Sequence, residues 1–310
     1  MLGVLAVAGA TLLTACSPLE LLNAAVPDAG FALRENIAYG KGDRHRLDVY
    51  EPAELRRGDI VVLFVYGGSW RRGDRADYRF VGQALSARGY RTVIPDYSLY
   101  PEARFPLFVE DVARAVAWCR VHLKDDNGQP VSLVLAGHSA GAHIAALTAL
   151  DDRYLRAQGV EPASVVGLIG LAGPYAFRPS RVERVRDIFS TAEPEDDARP
   201  VSFAHAKAPP SLLVHGLDDT TVRPENSRMM AERLTGQGAS VRLLTFEGAG
   251  HIAPLLALSA PFQDSLDLLP EIERFLRNLR EPGAVAQSAT GLRRTSTISG
   301  STAKAVKAYM

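Results

Sequence analysis

The sequence predicts an α/β fold, a mostly parallel central sheet flanked by helices on both faces, and three observations carry that expectation. Short apolar runs at residues 60–65, 131–136, 165–171 and 211–215 alternate with segments of helical pattern, the order that builds parallel sheets. Several of these runs are continuously apolar rather than alternating, as strands covered on both faces must be. One of them turns within a few residues into an Ala-, Leu- and Ile-rich stretch through Gly137-His138-Ser139-Ala140-Gly141. A strand that becomes a helix this abruptly needs residues without a Cβ around the bend, and it leaves the central residue exposed at the apex.

The elements follow in order. Residues 2–13 are almost wholly apolar and too short to cross a bilayer. They resemble a secretory h-region, and Leu13-Thr14-Ala15-Cys16 resembles the bacterial lipobox, although no Lys or Arg precedes the run. That resemblance implies a signal peptide over 1–16, lipidation of Cys16, export, and a membrane tether made by acyl chains alone. A buried N-terminal helix in a cytoplasmic protein is the alternative. Residues 17–30 read as a linker into a catalytic domain over 31–280. A hairpin is expected over 37–40 and 46–50, ended by Pro52, then a buried strand over 60–65. A helix over 78–88, a strand within 89–97 and an amphipathic helix over 111–123 come next. Cys119 lies in that helical pattern and is expected to be a buried small hydrophobe rather than a reactive thiol.

After the bend, a strand over 165–171 is followed by 176–208, which carry charges and prolines without a strand pattern. The segment 174–208 is either an insertion that forms a lid or pocket wall or a plain surface excursion. Strands over 211–216 and 241–246 and a helix over 268–279 complete the domain. Residues 281–310 are Ala, Ser, Thr, Gly and scattered bases with little to bury, and read as a disordered tail. The chain holds 35 basic and 35 acidic side chains in 310 residues, so no basic excess is available to neutralise nucleic-acid phosphates. Oligomeric state is not legible.

The chemistry begins at Ser139. A serine hydroxyl at the apex of a strand-to-helix turn is a candidate nucleophile, and the Ala140 N–H at the helix start is placed to meet developing negative charge. Such a serine needs a base, and the base needs an acid to orient it. Of seven histidines, His138 lies inside the bend, His143 on its helix, His45 and His122 in a hairpin and a helix end, His205 in the insertion, and His215 at a strand end. Only His251 sits on a Gly-rich loop after the run expected as the last strand, where a base can reach the serine. The acid is expected one strand earlier, where Asp218 and Asp219 both qualify.

These motifs resemble the α/β-hydrolase superfamily. Tyr66-Gly67-Gly68-Ser69-Trp70 is similar to the His-Gly-Gly-Gly-Trp loop of its esterases and lipases, with Tyr for His and Ser for the third Gly. Asp96-Tyr97-Ser98-Leu99-Tyr100-Pro101-Glu102 resembles a structural stretch of the same enzymes. The resemblance implies that Gly68 and Ser69 donate backbone N–H groups to an oxyanion together with Ala140. His215-Gly216-Leu217-Asp218-Asp219 resembles a His-Gly-x-x-Asp motif, which makes Asp219 the acid. The order Ser139, Asp219, His251 is that of the superfamily. The branch it resembles holds carboxylesterases, feruloyl and acetylxylan esterases, prenylcysteine methylesterases and kynurenine-formamidase-like proteins. The implied reaction is hydrolysis of a small-molecule carboxylic ester, with short acyl or aryl groups, through an acyl-enzyme and without metal or cofactor. An arylformamidase-like amide hydrolase shares that route. A catalytically inactive hydrolase-fold binding protein is the reading from another class.

Overall fold

The computed structural model describes residues 22–27, 29–279 and 295–297. The expected signal segment with Cys16 and most of the expected tail lie outside these residues; within that tail, expected to be disordered, Thr295–Thr297 instead form a strand paired with residues 245–247. The strands are β1 (Phe31–Ala38), β2 (Arg46–Pro52), β3 (Ile60–Val65), β4 (Arg91–Pro95), β5 (Ser132–His138), β6 (Val165–Leu171), β7 (Ser211–Gly216), β8 (Val241–Glu247) and β9 (Thr295–Thr297). They form one sheet in the order β1-β2-β4-β3-β5-β6-β7-β8-β9. The β1–β2 and β2–β4 pairs are antiparallel, and every pair from β4 onward is parallel. The chain therefore starts with a hairpin at one edge, passes over the position of β4 to β3, and then winds by helical crossovers, as parallel neighbours require.

Burial follows the sequence pattern. All six residues of β3 and of β7 are buried, so both faces of the sheet are covered there. In register, Ile60 faces Ser132 and Val65 faces Gly137, which brings the ends of β3 and β5 to one rim. Five helices of eight residues or more are described: α1 (Arg79–Ser86), α2 (Leu107–His122), α3 (Ala140–Leu150), α4 (Glu225–Gly236) and α5 (Leu268–Asn278). Helix α2 starts four residues before the expected Asp111. Phe108 continues back the stripe of Val112, Ala115 and Cys119, all buried, and Pro106 caps it. Helix α3 is buried at every position and packs against β3, β5 and β6. Among the described residues, no helix is long and apolar enough to cross a membrane. Cys119 is buried and unbonded, and burial raises its thiol pKa, in keeping with a packing role.

Candidate active site

The bend between β5 and α3 consists of one residue, Ser139, at φ 55° and ψ −122°. A side chain rarely adopts this backbone, and it persists here because close packing on both sides leaves no alternative. A Cβ on Gly141 would lie 2.0 Å from the Val65 carbonyl oxygen, and one on Gly137 would lie 2.5 Å from the Gly141 backbone. Both contacts are with backbone, which cannot move aside. The glycines thus let α3 start directly against the end of β3.

The loops after β7 and β8 bring two side chains to this serine. His251 Nε2 is 2.8 Å from Ser139 Oγ, and His251 Nδ1 is 2.7 Å from Asp219 Oδ2. A carboxylate can only accept, so Nδ1 carries the hydrogen and Nε2 is left to accept the Ser139 hydroxyl proton. Asp219 Oδ1 accepts from the N–H groups of Thr221 and Val222, both at 2.9 Å. Burial works to raise the pKa of Asp219. The hydrogen bonds from His215, His251 and the Val222 amide outweigh it and hold the carboxyl far below the usual carboxylate range. Asp218, the other candidate, is exposed and makes no side-chain contact with His251.

Two further histidines belong to this arrangement, and elimination from the sequence passed over both as supports. His215 Nε2 lies 3.1 Å from Asp219 Oδ2 and 2.8 Å from the Val222 carbonyl, while Nδ1 lies 2.6 Å from Ser227 Oγ. Two acceptors at Nε2 mean that it carries the hydrogen, and Nδ1 accepts from the serine. His215 therefore helps to fix Asp219 by bonding Oδ2, the same oxygen that accepts from His251 Nδ1. His138 donates from Nε2 to the His251 carbonyl at 3.0 Å. Burial, with the nearby His251 adding to it, lowers its pKa to about 3, so it stays neutral. The His-Gly-x-x-Asp spacing was the available signal for His215. Nothing in the sequence marks the His138 bond, which spans 113 positions.

The loop after β3 forms the other side of the site. Gly68 has φ 126°, and a Cβ there would sit 1.9 Å from the Arg72 carbonyl oxygen, so only glycine fits this bend. Ser69 and Trp70 follow at φ 56° and 57°. Tyr66, standing where related loops carry His, holds the loop in place: its hydroxyl donates to Asp96 Oδ1 at 2.8 Å and accepts from Arg44 Nη2 at 2.7 Å. Tyr97 Oη donates to the Tyr66 carbonyl at 3.0 Å, and Arg75 bonds both Asp48 and Asp96. The Asp96-Tyr97 stretch is thus a buttress for this loop.

Ser69, Trp70, Ser139 and Ala140 border a cavity of about 260 Å³. Residues Pro174, Phe177, Val182, Arg184 and Val185 of the segment 174–208 complete its wall together with Thr221, Val222, Arg223 and Asn226. Asn226 Oδ1 accepts the Ala176 N–H at 3.0 Å, which ties that segment to α4. Trp70 stacks on Phe177 with ring centroids 5.8 Å apart. Among the described residues, no group of three His, Cys, Asp or Glu side chains could hold a metal ion.

Sheet order, the strained bend and the three loops define the class of protein: an α/β-hydrolase fold that carries a Ser-His-Asp arrangement. The chain belongs to the BD-FAE family, which it matches over residues 47–234. It is 33% identical over 243 residues to esterase LipC of Mycobacterium tuberculosis, covering 72% of this chain and 60% of that one. It is 30% identical over 259 residues to a probable isoprenylcysteine alpha-carbonyl methylesterase, ICMEL1, of Arabidopsis thaliana, covering 76% of this chain and 54% of that one. The chain therefore spans between half and two thirds of the length of these relatives. Among solved structures, the apo form of Thermogutta terrifontis esterase 2 superposes with a TM-score of 0.65 at 25% identity, covering 84% of this chain and 97% of that one.

Proposed function

We propose that this protein is a carboxylic ester hydrolase that works through an acyl-enzyme on Ser139. The observation that carries this reading is the continuous hydrogen-bonded chain Asp219–His251–Ser139, which ends in the cavity. His251 Nε2 takes the hydroxyl proton as Ser139 Oγ attacks the ester carbonyl carbon, and Asp219 stabilises the imidazolium that forms. The backbone N–H groups of Ala140 and of the Gly68-Ser69 loop receive the oxyanion. Collapse of the tetrahedral species breaks the C–O bond, and His251 returns the proton to the departing alcohol. Water, deprotonated by the same histidine, then releases the acid and restores Ser139.

The cavity volume and its Trp70, Phe177, Val182 and Val185 lining favour short acyl or aryl groups. Hydrolysis of p-nitrophenyl esters from acetate to long acyl chains, by wild type and Ser139→Ala, tests the reading. The expected result is activity that falls with chain length and drops by at least ~10³-fold in the variant. Turnover left intact in Ser139→Ala refutes it. The apolar run 2–13 and the Leu13-Thr14-Ala15-Cys16 sequence further support export of the enzyme and anchoring through lipidated Cys16.

A further inference from the structure

We propose that the preferred substrates carry a carboxylate, which Arg184 and Arg223 recognise at the cavity while the apolar wall takes the hydrocarbon part. This rests on the ester-hydrolase reading and adds the substrate class. Both arginines line the same cavity as Ser139, and no Asp or Glu forms part of that wall. Arg184 comes from the short helix Glu183–Arg186, and Arg223 from the loop that carries Asp219. Arg184 Nη2 donates to the Thr221 carbonyl at 3.4 Å, so its guanidinium reaches from the 174–208 segment to that loop. Arg71 Nη2 holds the Arg184 carbonyl at 2.9 Å.

Among the described residues, neither Arg184 nor Arg223 is ion-paired, whereas Arg44, Arg75, Arg91 and Arg114 all meet carboxylates. Glu183 and Glu225 are near them in sequence but lie off the wall. With no Asp or Glu on the wall, the two guanidinium groups place positive charge at a concave, largely apolar site. A guanidinium keeps its charge at every working pH, and its planar fork matches a carboxylate. The hydrocarbon part of the ligand would meet Trp70, Phe177 and Val185, which offer no polar partner beyond the buried indole nitrogen of Trp70. The complementary ligand is thus amphiphilic: a short hydrocarbon or aryl ester that bears a carboxylate away from the scissile bond.

The test compares pairs of esters with and without a carboxylate. Mono-4-nitrophenyl adipate against 4-nitrophenyl hexanoate places the carboxylate on the acyl side, and 4-acetoxybenzoate against phenyl acetate places it on the alcohol side. The measured quantity is the ratio of kcat/KM, charged over neutral, for wild type, Arg184→Gln/Arg223→Gln and the corresponding double Lys variant. For at least one pair the ratio is expected to fall roughly five- to twentyfold in the Gln variant, to recover partly with Lys, and to shrink in wild type as salt is raised. Turnover of the neutral ester reports that the variants are folded. Ratios that stay within twofold for both pairs overturn the proposal. If wild type hydrolyses none of the four esters, the ester-hydrolase reading fails by itself. The carboxylate site is then judged by tryptophan fluorescence titrations with 4-hydroxybenzoate and phenol. Tighter binding of the carboxylate, lost in the Gln variant, supports the site, and equal binding refutes it.

Discussion

His143 makes the stability of this protein sensitive to acid by a predictable amount. It lies on α3, four residues after Ser139, and is fully buried against Trp70, Phe177 and Phe189 at ring-centroid distances of 5.1, 5.6 and 5.6 Å. Nε2 donates to the Ala198 carbonyl at 2.7 Å, and among the described residues Nδ1 has no partner. Burial, only partly offset by that carbonyl, lowers its pKa to about 4. An unfolded histidine titrates near ~6.5, so between these values the unfolded chain binds one more proton at this site. Stability is therefore unaffected above about pH 6.5, falls as pH drops through the window, and levels off below about 4. At ~1.4 kcal/mol per pH unit, the loss from this residue at pH 4.5 is on the order of 2–3 kcal/mol, a large share of a typical domain's stability. Urea unfolding of wild type and His143→Gln at pH 7 and 4.5 measures it, since Gln keeps an N–H for Ala198. Wild type should lose roughly 2–3 kcal/mol more than the variant between the two pH values. Parallel losses would refute the reasoning, as would an imidazole NMR signal for His143 that titrates near pH 6.5 in the folded enzyme. His138 acts in the same direction and should leave part of the acid slope in the variant.

Two other predictions follow from the acid loop and the N-terminus. Asp219→Asn should lower kcat on p-nitrophenyl acetate by ~10³–10⁴-fold, because the amide no longer selects the His251 tautomer, whereas exposed Asp218→Asn should stay within about twofold. The reverse ranking would move the orienting acid to Asp218. When the full chain is expressed in a bacterium fed labelled palmitate, label should enter the wild-type protein and not Cys16→Ser, and equal labelling would dismiss the lipobox reading.

The sequence marked what depends on local chain geometry. Strands β3 and β6 occupy the expected spans because continuous apolar runs leave a buried strand little freedom in its limits. The segment expected as one helix over 78–88 is instead a 3₁₀ turn, Arg75–Tyr78, followed by α1. Asp74 caps that turn through its side chain, and composition gave no sign of the change in winding. Ser139, Asp219 and His251 were legible because each sits on a loop after a strand, in an order that the sheet makes contiguous. The supports were not. The Tyr66–Asp96 bond spans 30 positions, and the His143–Ala198 bond spans 55. Such pairings depend on which loops the completed sheet brings together, and no periodicity encodes them. The same holds for the Trp70–Phe177 stack, which joins the loop after β3 to a segment whose short 3₁₀ turns show no pattern in sequence.

The His138 bond has a kinetic consequence. The residue immediately before the serine grips the backbone of the histidine that must receive its proton, so donor and acceptor are moored to a single rigid point of the sheet. The bond therefore restrains the backbone of the His251 loop relative to Ser139 and narrows the range of separations open to the two atoms. The remaining freedom is rotation of the His251 ring, which Asp219 restrains. Most of the entropy of bringing the two atoms together is surrendered when the chain folds, and little is left to lose in each catalytic cycle.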